Sequence, residues 1–176
     1  MNLSRSTFAN LRRRKNIIKA ELPQTSFFLR LMEERDLPFV MKIERLSFSH
    51  PWLESTFRGE VNNRGISFPF VVVQRNQDKI IGYIIFWLMG EKAQISNFAI
   101  HPDFRRLGVG EKVLIRIMAQ IRKYGAKSVI LEVRPSNFAA RRLYGKYGFK
   151  SLGIRKDYYR DPEEDAFVMV KYFSPP

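Results

Sequence analysis

The chain has 176 residues, of which 45% are hydrophobic, and this is enough for one compact domain with a substantial core. It contains no cysteine and only two histidines, His50 and His101, which excludes disulfides and a cysteine nucleophile and leads us to expect no metal centre. The formal net charge of +14 favours binding to polyanions such as RNA, a ribosome, an acidic membrane surface or a polyphosphate cofactor.

The N-terminal segment is strongly basic. Residues 1–24 hold six lysines and arginines against the single acid Glu21. They show no secretory signal, and the longest strongly apolar run, Ile80 to Gly90, has 11 residues and is too short to cross a bilayer. We therefore expect a cytoplasmic protein in which residues 1–25 form a poorly ordered basic extension and residues 26–176 form the folded domain. A docking arm for the ribosome or for RNA is the alternative use of the extension.

The first half of the domain is predicted to contain two short helices followed by three strands. In chain order the elements are a strand over Phe27–Met32, helices over Leu37–Leu46 and Leu53–Val61, and strands over Phe68–Gln74, Lys79–Met89 and Ala93–Ile100. Apolar residues at helical spacing predict the helices, and runs of β-branched and aromatic residues between turn signals predict the strands.

The second half alternates strands and helices. Its predicted elements are a helix over Gly108–Tyr124, a strand over Ser128–Val133, a helix over Asn137–Tyr147, and strands over Phe149–Ile154 and Ala166–Tyr172. Gly125 and Gly148 are placed to end the two helices, and either Ser136 or Asn137 can cap the start of the second. The whole pattern predicts a mixed α/β domain.

A short segment rich in arginine and glycine joins a strand to the long helix. A bound diphosphate needs several backbone N–H groups directed at it without a Cβ in the way, and Gly108 and Gly110 permit that approach. The helix N-terminus adds the positive end of its dipole, and Arg105 and Arg106 add counter-charge. The residues taken alone are equally consistent with a tight turn before a helix.

Two further side chains are candidates for chemistry. Glu132 is a lone carboxylate in an otherwise apolar strand, which is costly unless the group is paired or used. It is either a catalytic base or a structural partner for Arg134 or another basic residue. Tyr144 follows Asn137 by seven residues, which places both on one helical face, where a tyrosine most often packs in the core.

These segments resemble the GCN5-related N-acetyltransferase (GNAT) superfamily, and within it the RimI branch of ribosomal-protein alanine N-acetyltransferases. The likeness covers about Ser26 to Tyr172 and leaves the basic extension outside. The stretches that carry it are Pro51-Trp52, Ile95 to Gly110 with the pattern Arg-x-x-Gly-x-Gly, Leu131 to Asn137, Leu143 to Phe149, and Glu164 to Ala166. The resemblance implies a mixed, mostly antiparallel sheet of six to seven strands with a splayed parallel pair, flanked by about four helices.

The resemblance also implies acetyl-CoA as co-substrate, direct acetyl transfer and no metal. It makes Glu132 the general base and Tyr144 the general acid that protonates the sulfur, and it places Trp52 and Tyr158 on peptide-contacting loops. The implied cofactor-binding residues are Phe98, Ala99, Ile100, Arg105, Arg106, Leu107, Gly108, Val109, Gly110, Glu111 and Asn137. Glu111 departs from the family, whose members often have a small or basic residue there, and a carboxylate beside a pyrophosphate weakens binding unless it points away.

The acceptor amine is predicted to be a protein N-terminus. An α-amino group has a pKa of about 7.7–8.0 and a lysine one of about 10.4, so far more of the former is neutral near pH 7. We expect the N-terminal alanine of a ribosomal protein, with a broader N-terminal, small-amine or lysine acetyltransferase as the alternative. A non-catalytic basic module that binds RNA or the ribosome is the alternative from another class. The acidic run from Asp161 to Asp165 either receives an ammonium or basic peptide or is a solvated hairpin tip.

Overall fold

The computed structural model describes residues 26–63 and 65–173, which form one seven-stranded sheet in the order β1-β2-β3-β4-β5-β7-β6. The strands are β1 (Phe27–Leu31), β2 (Ser67–Gln74), β3 (Lys79–Met89), β4 (Lys92–Ile100), β5 (Ser128–Val133), β6 (Lys150–Arg160) and β7 (Glu163–Tyr172). The α-helices are α1 (Leu37–Ser47), α2 (Glu54–Asn62), α3 (Val109–Lys123) and α4 (Phe138–Lys146). No helix in the described part of the chain is both long and apolar enough to span a membrane.

The predicted fold class is confirmed. Strands β4 and β5 run parallel, and every other pair of neighbours in the sheet is antiparallel. Of the two candidate caps for α4, Asn137 takes the position, because its side chain accepts a 3.1 Å hydrogen bond from the amide of Ala140. The predicted basic extension over residues 1–25 lies outside the described residues.

The last two strands are longer than predicted. We predicted that β6 ends at Ile154 and that β7 begins at Ala166. In the structure β6 continues to Arg160 and β7 begins at Glu163. Every residue of β6 except Tyr159 is exposed, so burial leaves no alternation of apolar and polar residues to detect. Hydrogen bonds to β7 define this edge strand, and they leave no signal in the hydrophobic pattern.

The core lies on both faces of the sheet. On one face α3 and α4 pack on the strands, and the predicted stripe of α3 (Val109, Val113, Ile117 and Ile121) is buried there. On the other face α1 and α2 cover β2, β3 and β4, with Val40, Ile43 and Phe57 at the centre of a second cluster. The sheet therefore separates two apolar layers, and a ligand can contact both layers only through a gap in the sheet.

That gap opens where β4 leaves β5. The parallel pairing joins only Lys92–Ile95 to Ser128–Leu131. The next residue, Ser96, is an extra residue relative to β3, because Ile95 pairs with Phe86 and Asn97 pairs with Ile85. Such a bulge bends a strand and ends its pairing. From Ser96 to Ile100, the edge of β4 that faces β5 has no strand partner among the described residues.

Gly82 on β3 sets how closely β3 approaches the free end of β4. A Cβ on Gly82 would lie 2.6 Å from Cδ1 of Ile100 and 2.9 Å from the carbonyl oxygen of Ala99. We predict that Gly82→Ala lowers the free energy of unfolding by about 1–3 kcal/mol through overpacking. Gly59→Ala in α2 is the control: an added Cβ meets nothing within 4 Å there, so helix propensity stabilises the protein by up to about 1 kcal/mol. Urea unfolding measures both, and equal stability of the Gly82 variant and the wild type would contradict the prediction.

Candidate active site

The loop before α3 presents bare main chain at a helix N-terminus. Gly108 caps α3 with φ +74°, a left-handed conformation that favours glycine, and an added Cβ there meets nothing within 4 Å. Gly110 packs on the free end of β4, since its added Cβ would lie 3.6 Å from Ile100 and 3.7 Å from Phe98. Bare main chain, an open approach at Gly108 and the helix dipole together fit a diphosphate group.

The side chains of this loop have separate tasks. Arg105 donates through Nε to the carbonyl of Ile100 and through Nη2 to the hydroxyl of Ser47, at 2.8 Å each, so it ties the end of β4 to α1. Arg106 and Leu107 are exposed, whereas the side chain of Val109 is buried in the core. The charge of Arg105 stays beside the loop, but two of its donors are occupied, and Arg106 is the more available cation.

The carboxylate of Glu111 is directed toward α4. Its Oε1 accepts hydrogen bonds from Nζ of Lys146 and from the hydroxyl of Tyr147. The bond from Lys146 is the largest cause that lowers the pKa of the Glu111 carboxyl and raises the pKa of the Lys146 ammonium. Glu111, the predicted departure from the family pattern, therefore has a cation beside it, Lys146, that neutralises its charge.

Glu132 is a nearly buried carboxylate close to the end of β5. Its side chain is 6% exposed, and its Oε1 lies 3.3 Å from Nη1 of Arg155. Its Oε2 accepts a 3.1 Å hydrogen bond from the side-chain amide of Gln94. Arg134, the partner considered from the sequence, instead pairs with Glu164 and lies 4.0 Å from the ring centroid of Tyr159. The carboxylate of Glu132 is held from both sides and is fixed in orientation.

Sequence reasoning missed both partners of Glu132. Gln94 is a polar residue on the same face of the sheet as Glu132, which its pairing with Ile130 makes clear only once the parallel register is known. Arg155 lies beyond the predicted end of its strand, in the part of β6 that carries no apolar pattern. No local signal connects either residue to Glu132.

Tyr144 is buried against the other face. Its ring packs 5.6 Å from that of Phe149 within the core cluster beneath α3, and only 8% of the residue is exposed. Burial raises the pKa of the phenol to about 12, above the value near 10 on which its role as an acid was predicted. The hydroxyl donates to no described residue, so the protonated phenol is available to a ligand.

Glu132 and Tyr144 approach the gap from opposite faces of the sheet. Leu131 and Val133 of β5 point into the core cluster that contains Tyr144, and Glu132 between them points the other way. Both groups nevertheless act electrostatically on Tyr159, whose pKa is raised chiefly by burial. Glu132 and Tyr144 therefore lie near Tyr159 on opposite faces of the sheet, and their roles as base and acid stay predictions.

The two predicted peptide-contacting positions differ in character. Trp52 is half-buried, its amide donates a 2.8 Å hydrogen bond to Glu44, and its ring lies 5.5 Å from that of Phe57. Trp52 thus anchors the α1–α2 connection to the second core cluster. Tyr158 is 43% exposed beside Tyr159, with the guanidinium of Arg155 5.4 Å from its ring centroid, so it is accessible next to the partners of Glu132.

Two acids of the run from Asp161 to Asp165 form hydrogen bonds and ion pairs within the protein. Glu164 accepts from the amide of Ser136 at 2.6 Å and from its hydroxyl at 2.8 Å, in addition to pairing with Arg134. Asp165 pairs with Lys156 at 2.7 Å. These two acids join the hairpin to itself and to the loop before α4, so the charges of Glu164 and Asp165 are already matched by basic or donor groups of the chain.

A buried polar cluster beside Trp52 was not anticipated. Glu44 of α1 is 1% exposed and also accepts hydrogen bonds from the hydroxyl of Tyr83 and from the side-chain amide of Asn97, the latter at 3.4 Å. Burial is the largest cause that raises the pKa of Glu44. Leu46 follows the helical spacing of the apolar residues in α1 but is 50% exposed, whereas Glu44 is buried because three donors satisfy it.

Residues 37–149 match the Acetyltransferase (GNAT) family, and the chain belongs to this family. The [ribosomal protein bS18]-alanine N-acetyltransferase of Escherichia coli strain K12 is 34% identical over 141 residues, which cover 79% of this chain and 93% of that protein. The crystal structure of the ribosomal-protein-S18-alanine N-acetyltransferase from Escherichia coli superposes with a TM-score of 0.77 at 32% identity, covering 85% of this chain and 96% of that one. The structure of Ard1 from Thermoplasma volcanium gives 0.76 at 25% identity, covering 86% and 100%.

The protein is therefore an acetyl-CoA-dependent N-acetyltransferase, as predicted. The part of the chain that the structure describes contains no group of three or more histidine, aspartate or glutamate side chains that could hold a metal ion. The loop at Gly108 fits the diphosphate of the co-substrate by its shape and by its open main chain. Individual residue roles at this loop and around Glu132 remain predictions.

We predict that Gly108→Glu abolishes detectable acetyl-CoA binding, because the side chain fills the open approach and adds a negative charge beside the diphosphate. Gly90→Glu is the matched control. Gly90 has φ +62° in the β3–β4 turn and equal free space around a Cβ, so it carries a similar backbone strain without facing the loop. Isothermal titration calorimetry measures both. Unchanged affinity in the Gly108 variant, or an equal loss in the Gly90 variant, would count against the assignment.

Proposed function

We propose that this enzyme acetylates the α-amino group of a protein N-terminus, and that the acceptor is the alanine of ribosomal protein bS18. The relatives that carry this activity in their names share about a third of their residues with this chain over most of its length. The observation that carries the proposal is the fixed carboxylate of Glu132, with the exposed ring of Tyr158 beside its partner Arg155. A single carboxylate suffices for an α-amino group, because the neutral form of such a group near pH 7 is far more abundant than the neutral form of a lysine.

The reaction joins the amine nitrogen to the acetyl carbon and breaks the bond from that carbon to sulfur. Acetyl-CoA, when bound, supplies an acetyl group activated as a thioester. The N–H groups of Phe98 and Ile100 would hold and polarise the thioester carbonyl, because they point away from β3, toward the edge of β4 that has no strand partner among the described residues. Glu132 takes up the proton that the amine loses, directly or through a water molecule.

Tyr144 is the proposed acid, and its burial limits how it acts. A phenol with a pKa of about 12 keeps its proton at neutral pH. A thiolate whose conjugate acid has a pKa of about 8.5 is a weaker base than the phenolate, so complete transfer to sulfur is unfavourable. We infer that Tyr144 stabilises the departing sulfur by donating a hydrogen bond, and that the sulfur gains its proton from water afterwards.

Asn137 contributes to the same ligand through its unused donor. The Oδ1 of its side chain caps α4, which leaves the side-chain NH₂ free to bind a pantetheine carbonyl. Capping fixes the rotamer, so the cap and the proposed ligand contact support one another. The co-substrate would lie between α3 and α4, held by the glycines of the loop, by Asn137 and by Tyr144.

A ribosomal acceptor places the reaction in the cytoplasm. The predicted basic extension over residues 1–25 is proposed to bring the enzyme to the ribosome through electrostatic attraction to RNA. Such attraction falls steeply with salt, so it would be separable from catalysis by ionic strength. A broader specificity for protein N-termini is the second candidate, because Tyr158 is exposed and an aromatic ring can pack against side chains of different kinds.

Peptide specificity tests the proposal. A peptide with the N-terminal sequence of bS18 is expected to be acetylated on its α-amino group, at least about tenfold faster than the same peptide blocked at that amine and carrying an internal lysine. Mass spectrometry of the products locates the acetyl group. Equal rates on the blocked peptide would identify a lysine acetyltransferase, equal rates for any first residue would identify a broad enzyme, and RNA binding without turnover would identify the binding module.

Replacement of the base tests the mechanism. Glu132→Gln retains the shape of the side chain but cannot accept a proton, so kcat is expected to fall by about 10²-fold or more. The dissociation constant for acetyl-CoA is expected to change little, since Glu132 lies on the acceptor side of the sheet. Glu163→Gln, at an exposed acid of the hairpin, is the control and should turn over normally. Equal turnover in the Glu132 variant would refute its role as base.

A further inference from the structure

One ion pair at the edge of the co-substrate site has no part in the reaction described above. Glu111 in the first turn of α3 accepts hydrogen bonds from Lys146 in the last turn of α4 and from the adjacent Tyr147. The side chain of Lys146 is 62% exposed and that of Glu111 is 31% exposed. An ion pair this exposed contributes little to stability, so stability alone is a weak explanation for it.

The pair joins the two helices between which the co-substrate is proposed to lie. Its phosphates are assigned to the main chain at Gly108 and Gly110, one turn or less from Glu111. Its pantetheine arm and sulfur are assigned to Asn137 and Tyr144 on α4. Lys146 lies on the same helix, and its hydrogen bond to Glu111 places its ammonium group at the first turn of α3.

Charge at this point favours a phosphate as the partner of Lys146. Arg142 lies one turn before Lys146 on α4 and acts on it electrostatically, so the two cations form one basic patch on α4. A phosphate at the N-terminus of α3 attracts these cations and repels Glu111. An ammonium on a flexible stem can turn from a carboxylate to a phosphate without moving the backbone.

We propose that Lys146 is a phosphate-binding residue for coenzyme A and that Glu111 holds its charge in the free enzyme, releasing it when a phosphate group binds. The inference rests on the co-substrate site proposed above. Two phosphate groups of the co-substrate offer the required chemistry, the diphosphate and the 3′-phosphate.

Calorimetry with coenzyme A and with dephospho-coenzyme A tests the exchange. Lys146→Gln is expected to weaken coenzyme A binding by about fivefold or more, and Glu111→Gln to tighten it by about two- to fivefold because Lys146 is freed and a repulsion is removed. Lys156→Gln and Asp165→Asn are matched controls, since this pair has the same chemistry on the β6–β7 hairpin, and both should leave affinity unchanged. Thermal unfolding establishes that each variant is folded.

The outcomes separate this inference from the function on which it rests. A loss in Lys146→Gln that disappears with dephospho-coenzyme A assigns Lys146 to the 3′-phosphate, and a loss that persists assigns it to the diphosphate; either supports the proposal. If the wild type binds coenzyme A and Lys146→Gln binds it with unchanged affinity, the proposal is overturned. It is also overturned if Glu111→Gln binds coenzyme A no tighter than the wild type, since the pair would then only link α3 to α4. Absence of coenzyme A binding to the wild type would instead contradict the co-substrate site itself.

Discussion

The site depends on one interruption of the sheet. An extra residue, Ser96, ends the pairing of β4 with β5 directly after Ile95, and the two strands separate. The separation leaves main-chain donors of β4 without a strand partner among the described residues, with the loop at Gly108 on one side of the gap and Glu132 of β5 on the other. Without the bulge these donors would pair within the sheet, and the proposed thioester site would have no groups to polarise the carbonyl.

Most charged groups around the gap are already paired in the free protein. Glu132 is held by Gln94 and Arg155, Glu164 by Ser136 and Arg134, and Glu111 by Lys146. Paired carboxylates have a fixed orientation, so Glu132, the proposed base, does not have to be ordered when an acceptor binds. The pairings also differ in accessibility, since Glu132 is nearly buried whereas the partners at Lys146 are exposed. The first suits positioning of a catalytic group, and the second suits exchange with a ligand.

Local sequence signals predicted the scaffold well, because helices that begin at caps and end at glycines leave a strong pattern, as at Asn137 and Gly148. The glycines of the loop before α3 could also be located from one short segment, and the role of that loop in phosphate binding stays a prediction. The partners of Glu132 were not, because Gln94 and Arg155 come from two other strands and meet it only through the sheet register. Glu44 was missed for a similar reason, as its three donors come from separate parts of the chain, and the raised pKa of Tyr144 depends on burial that its helical spacing only suggested.

A crystal structure of the enzyme with bound acetyl-CoA tests the central claim most directly, namely that the separation of β4 from β5 receives the thioester. The account predicts diphosphate oxygens within hydrogen-bond distance of the N–H groups around Gly108, the thioester carbonyl on the N–H of Phe98 or Ile100, and the sulfur facing the hydroxyl of Tyr144. A co-substrate bound elsewhere, or a gap closed by continuous pairing of β4 with β5 beyond Ile95, would contradict it.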